Sequence, residues 1–201
     1  MDYAELVELA ARLGLGFKAE PNYVLADDYA FLRHLAQGEN RYAFNVLSGA
    51  CQKTEVLAFD YHFETEAKDR KSEDQRLHRC LTAAMVLVPA YFPALHIVPE
   101  GLGSSIAEAL GCEDIHFESD EFSRAFWVRS KDKRFAYDFC NARVMEYLLA
   151  NRDLDLQIER CALATVSAAP WTGKEVEYNL RRLLEIRLRL PDYLFTKART
   201  C

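Results

Sequence analysis

Between Cys80 and Pro99 the chain carries no formally charged side chain. A run of that length has two solutions: a membrane-spanning helix, which takes about 20 predominantly apolar residues, or strand covered on both faces by the rest of a protein. Pro89 and Pro93 separate them. A helix in lipid must satisfy its own backbone, and two prolines followed by His96 break that ladder. The sequence therefore predicts a central strand at Leu81 to Val88, a turn across Pro89 to Pro93, and a shorter strand at Leu95 to Val98. Association with a membrane through this stretch remains an alternative.

The clearest local alternation lies just upstream. Leu57, Phe59, Tyr61 and Phe63 alternate with Ala58, Asp60, His62 and Glu64, so a strand over Val56 to Glu64 has an apolar and a polar face. Tyr42 to Ser48 forms the other half of a hairpin, with Gly49 to Thr54 between them. Thr65 to His78 mixes both charge signs with nothing to bury and reads as a solvated loop. Further on, Ser104 to Leu110 is a short helix ended by Gly111, and Ile115 to Glu118 and Ala125 to Arg129 are two strands. Asp132 caps a helical segment reaching Leu149, interrupted near Asn141, and Leu156 to Val166 reads as a final strand pair.

Helices bracket this region. Leu6, Val7, Leu9, Ala10 and Leu13 fall at helical spacing in Tyr3 to Leu13, before Gly14 and Gly16. Tyr29, Phe31, Leu32 and Leu35 suggest a second short helix behind Asp27 and Asp28. The last helix, Lys174 to Leu190, points Val176, Leu180, Leu183, Leu184 and Leu188 inward, places Glu177 and Glu185 four residues before Arg181 and Arg189, and stops at Pro191. The expected fold class is α+β: a mostly antiparallel sheet flanked by N-terminal and C-terminal helices. One domain is expected over 1–201, with a helical segment at 1–40, the sheet region at 42–168 and the closing helix at 172–191.

Composition narrows the function classes. The chain has 201 residues and a formal net charge of −6, against the clustered cationic excess that phosphate backbones require, so no nucleic-acid partner is expected. Six cysteines lie far apart with no C-x-x-C pair, and read as reduced thiols rather than a zinc ribbon or redox motif. Asp2, Glu5 and Glu8 occupy the place where a secretory leader is basic, and a cytoplasmic location is expected.

Phe59-Asp60-Tyr61, Glu118-Ser119 with Glu121-Phe122, Phe135-Ala136, and Arg143-x-Met145-Glu146 in a helical setting together resemble a group of uncharacterised bacterial proteins of about this length. The resemblance spans roughly Tyr42 to Pro191. It implies one intracellular domain and brings no catalytic residues with it.

Asp60, His62 and Glu64 are the sharpest chemical candidates, because they share a strand face within mutual reach of a metal ion or a bound water. His116, with Glu118, joins them if its strand lies alongside. The ordinary alternative is the solvated face of a half-buried strand. Gly101-Leu102-Gly103-Ser104-Ser105 precedes a helix but lacks the third glycine of a dinucleotide fingerprint and the G-K-[ST] of a P-loop, so it reads as a turn with a serine cap and no cofactor is expected. Ser119 lacks a G-x-S-x-G setting and reads as a backbone-bonding turn residue. Trp127 and Trp171, with Tyr91 and Phe92, are read as core or rim aromatics, and Cys80 and Cys140 as thiols that apolar surroundings keep protonated. The leading expectation is a non-enzymatic binding or protein-interaction module, offering a sheet edge or apolar groove to a protein partner or to a second copy of itself. The alternatives are a metal-assisted hydrolase using Asp60, His62 and Glu64, and a membrane-associated protein.

Overall fold

The computed structural model describes residues 3–66, 76–101 and 114–197, leaving aside the side chains of residues 33, 34 and 197. The fold is α+β. Its elements in chain order are α1 (Tyr3–Leu13), β1 (Gly16–Lys18), α2 (Tyr23–Asp28), a 3-10 turn (Arg33–Ala36), β2 (Glu39–Cys51), β3 (Thr54–Glu66), β4 (Arg76–Pro99), α3 (Asp120–Ala125), β5 (Phe126–Ser130), α4 (Lys133–Phe139), α5 (Ala142–Leu149), β6 (Leu156–Ser167), α6 (Gly173–Arg189) and α7 (Tyr193–Lys197). The strands form a six-stranded sheet ordered β1-β2-β3-β4-β5, with β6 also paired to β4. The pairings β1–β2, β2–β3 and β4–β5 are antiparallel.

The chain divides into two compact units, Met1–Met85 with Val166–Leu180, and Val86–Thr165 with Arg181–Cys201. In the first, α1 buries Leu6, Leu9 and Ala10, a stripe at helical spacing. Each fully buried leucine of this kind contributes roughly 1.5–3 kcal/mol. Val7 is exposed. Gly14 (φ +67) ends the helix, and the Leu15 amide donates to the Ala10 carbonyl at 2.9 Å. The first half of α6 meets α1 where Gly173 N–H donates to Glu5 at 2.8 Å and Arg12 pairs with Glu177 at 2.6 Å. Phe59 and Tyr61 are fully buried, and the Tyr61 hydroxyl donates to the Leu35 carbonyl at 2.6 Å.

The second unit is built on packed phenylalanines. Phe92 lies 5.2 Å from Phe135 and 5.7 Å from Phe195, and Phe122 lies 5.2 Å from Phe126. Asp132 caps α4 as expected, accepting from Phe135 N–H, and the expected interruption near Asn141 is a second cap, with Asn141 accepting from Arg143 and Val144 N–H and dividing α4 from α5. Ser119, expected to bond backbone, accepts from Phe122 N–H and caps α3, which the sequence reading missed.

Several expectations are corrected. No turn separates Pro89 from Pro93, because β4 is one unbroken strand. Pro89 is exposed, and both prolines precede the stretch Leu95–Pro99 that pairs with β5, so neither removes a donor from that ladder. The hairpin turn is Gln52–Lys53 alone, with Gly49 and Cys51 inside β2. Both turn residues have positive φ (51° and 65°), as the two-residue turn that matches strand twist demands. Both ends of the expected loop are strand, since β3 extends to Glu66 and β4 begins at Arg76, and the rest of it lies outside the described residues. Asn22 caps an earlier helix, α2, in place of one at Tyr29 to Leu35. Ile115 to Glu118 is not a strand, although Ile115 N–H donates to the Val128 carbonyl. Leu156 to Val166 is one strand with Arg160 at φ +50°, not a pair. Leu188 is exposed. Cys161 is disulfide-bonded rather than reduced, a pairing that spacing along the chain cannot reveal. The expected helix at Ser104 to Leu110 lies outside the described residues. Cys80 to Pro99 lies in a strand, and among the described residues no helix is long and apolar enough to cross a membrane.

Candidate metal centre

The period of two in β3 puts Asp60, His62 and Glu64 on one face. Opposite them β2 carries an extra residue twice: once between the pairs Glu39–Glu64 and Tyr42–His62, and again between Phe44–Asp60 and Leu47–Ala58. Each irregularity holds an asparagine with positive φ, Asn40 (48°) and Asn45 (52°). Asparagine is among the few residues that enter this region at modest cost, and bulges re-aim side chains. Here each asparagine amide is turned onto a β3 carboxylate: Asn45 Nδ2 donates to Asp60 Oδ2 at 2.8 Å, and Asn40 Nδ2 to Glu64 Oε2 at 2.7 Å. Gly38 makes the second contact sterically feasible. Its φ is +72°, and a Cβ there would stand 2.5 Å from the Glu64 carbonyl oxygen and from Phe63.

The face is not uniformly solvated. Asp60 is 1% exposed, and its other oxygen accepts from the Thr82 hydroxyl at 2.8 Å. Its carboxylate thus ties the buried Thr82 to the half-buried Asn45. Toward the strand end the face opens, and there β4 brings in His78. His62 Nε2 lies 3.1 Å from His78 Nδ1, and His78 Nδ1 lies 3.6 Å from Glu64 Oε1. The three ligand atoms all fall within 4.8 Å of one another, and among the described residues this is the one such group of three.

The surroundings orient these groups. Tyr42 stacks on the His62 ring at 4.5 Å and 20°. His62 Nδ1 faces the Asn40 carbonyl at 3.4 Å. In the tautomer that donates there, Nε2 turns its lone pair toward His78 and Glu64. Glu64 Oε2 is occupied by Asn40 and by Arg76 at 3.1 Å, leaving Oε1 for a ligand. Those hydrogen bonds, Asn40 first and Arg76 second, hold the Glu64 carboxyl below its usual range and keep it ionised. Two donors each about 2.1 Å from a tetrahedral centre lie about 3.4 Å apart. The observed 3.1 and 3.6 Å bracket that spacing. Two imidazoles and one carboxylate with positions left open is a donor set suited to zinc, cobalt, nickel or iron.

Of the residues singled out from sequence, His62 and Glu64 join this cluster, and Asp60 is engaged with Asn45 and Thr82. His116 belongs to the second unit, where it is exposed and its carbonyl accepts from the Tyr137 hydroxyl at 3.1 Å. Glu118 is exposed as well. His78 was missed because it was assigned to a loop, and no short-range pattern reveals which β4 residue crosses from Glu64. Burial drives the Cys140 thiol far above its usual range, and desolvation followed by the charge of Asp60 raises Cys80, so both stay protonated.

No protein-family model matches the chain, and no curated protein is recognisably similar to it in sequence. Among solved structures it is similar in fold to the crystal structure of the mycobacterial trehalose monomycolate transport factor A, TtfA, with a TM-score of 0.64. The likeness covers 94% of this chain and 95% of that one at 12% identity. At that identity it concerns the fold alone.

Proposed function

We propose that this protein is a non-enzymatic binding module whose ligand is a divalent transition-metal ion held by His62, Glu64 and His78. The observation that carries the reading is the convergence of those three ligand atoms, with His62 and Glu64 each oriented by a further partner. The remaining coordination positions open toward solvent, since the His78 side chain is 70% exposed, and there a water or a donor atom of a partner completes the sphere. The fold neighbour is named a transport factor, which accords with a module that binds without transforming. A metal-assisted hydrolase would use the same centre. It is less well supported because Asp60, the base that β3 would offer, is already bonded to Asn45 and Thr82.

Equilibrium dialysis against Zn²⁺, with Co²⁺ absorption as a report of ligand geometry, tests the proposal. One ion per chain is expected, with affinity weakened about tenfold or more in His62→Ala and in His78→Ala. Unchanged stoichiometry in the double variant, with circular dichroism showing it folded, would discard the site. Ester or phosphoester turnover by the zinc-loaded protein that disappears in His62→Ala would favour the hydrolase instead.

A further inference from the structure

The second unit contains a cavity of about 740 Å³ lined by residues of β4, β5, β6 and the turn into α4, a size in the range that holds small organic ligands. Arg129 and His96 are Cα partners on adjacent antiparallel strands, so their side chains share a sheet face. They are only 8% and 5% exposed, yet both line the cavity. Trp127, two residues before Arg129 on the same face, lies against the guanidinium with 5.2 Å to the ring centroid.

The turn that follows is tightly held. Ser130 Oγ donates to the Ala94 carbonyl at 2.7 Å and accepts from Asp132 N–H at 3.1 Å, fixing the backbone that carries Lys131 and Lys133 into the lining. Two carboxylates, Asp132, which caps α4, and the half-buried Glu159, face these three cations in the lining and offset their charge only in part. Three cationic side chains thus meet in one concavity of a chain whose net charge is −6, and Pro93 and Ala94 add an apolar wall. A guanidinium has five N–H donors, so a buried arginine with an existing partner still has donors to offer.

We propose that this cavity binds a small organic anion, with a carboxylate or phosphate group on Arg129, Lys131 and Lys133 and an apolar body against Pro93 and Ala94. The site is independent of the metal centre, which lies in the other unit.

The chain has two tryptophans, so Trp171→Phe leaves Trp127 as the sole indole reporter beside Arg129. Phenyl phosphate, benzoate and uncharged benzyl alcohol are titrated into that protein while Trp127 fluorescence is followed. A saturable response to phenyl phosphate or benzoate, at least about tenfold weaker for benzyl alcohol and in Arg129→Met, is expected. Where Arg129→Met does not fold, Lys131→Ala/Lys133→Ala carries the same test from the cavity lining. The proposal is overturned if neither organic anion gives saturable binding, if benzyl alcohol binds as well as they do, or if the folded variants keep full affinity. Zinc binding is expected to be unchanged in the lysine variant, so the two sites fail separately.

Discussion

Replacing Asp60 by alanine tests whether this carboxylate is part of the frame around the proposed metal ligands. Asp60 and Thr82 are almost wholly buried, and the carboxylate accepts at 2.8 Å from both the Thr82 hydroxyl and the Asn45 amide. A hydrogen bond to a charged group contributes about 1.5–3 kcal/mol, and removing the acceptor leaves two donors without it. The sum is a loss of about 4 kcal/mol, a large fraction of the ~5–15 kcal/mol that holds a typical protein folded. With a urea dependence of about 2 kcal/mol/M, the midpoint of unfolding falls by about 2 M. Asp60→Leu/Thr82→Val is expected to recover part of this loss, because one of the stranded donors is removed with its acceptor. Urea titration followed by far-UV circular dichroism measures both. A cost below about 1 kcal/mol for Asp60→Ala would mean that water replaces the carboxylate freely, and the framing role would be wrong. Asp60→Asn, wherever it folds, is expected to retain zinc, since no metal contact is assigned to this side chain.

Two further outcomes follow from the same geometry. Glu64 is held below its ordinary value of 4.5 by Asn40 and Arg76, so its contribution to stability is present above that value and is lost as pH falls through the lower folded one. Glu64→Gln is expected to flatten the acid limb of the pH–stability curve, and an identical limb in the variant would contradict this. Lys53 occupies the left-handed region at φ 65°, where a side chain costs about 1–2 kcal/mol that glycine avoids, less glycine's own ~0.5–1 kcal/mol of extra chain entropy. Lys53→Gly is therefore expected to raise stability by about 1 kcal/mol and the melting temperature by a few degrees, and a lower melting temperature would contradict the turn assignment.

Periodicity and caps, which act over a few residues, were legible in the sequence. The α1 stripe, the alternation of β3, the Asp132 cap and the interruption near Asn141 follow from side chains that meet partners within about one turn or one strand pair. The charge-free stretch was likewise readable as strand, because two prolines are incompatible with a helix in lipid, and both fall outside the Leu95–Pro99 ladder with β5. The turn at Gln52–Lys53 was not legible, since neither residue type advertises positive φ.

The site divides along the same line. His62 and Glu64 share a face by the arithmetic of a pleated strand, and that much is a property of the chain alone. His78 reaches them only through the pairing of β3 with β4, and Asn40 and Asn45 reach their carboxylates only because β2 gains a residue at each bulge. Register between strands is set by how whole hydrophobic faces pack. A candidate ligand set spread over two strands, with its supporting asparagines on a third, therefore exists only once the sheet has formed.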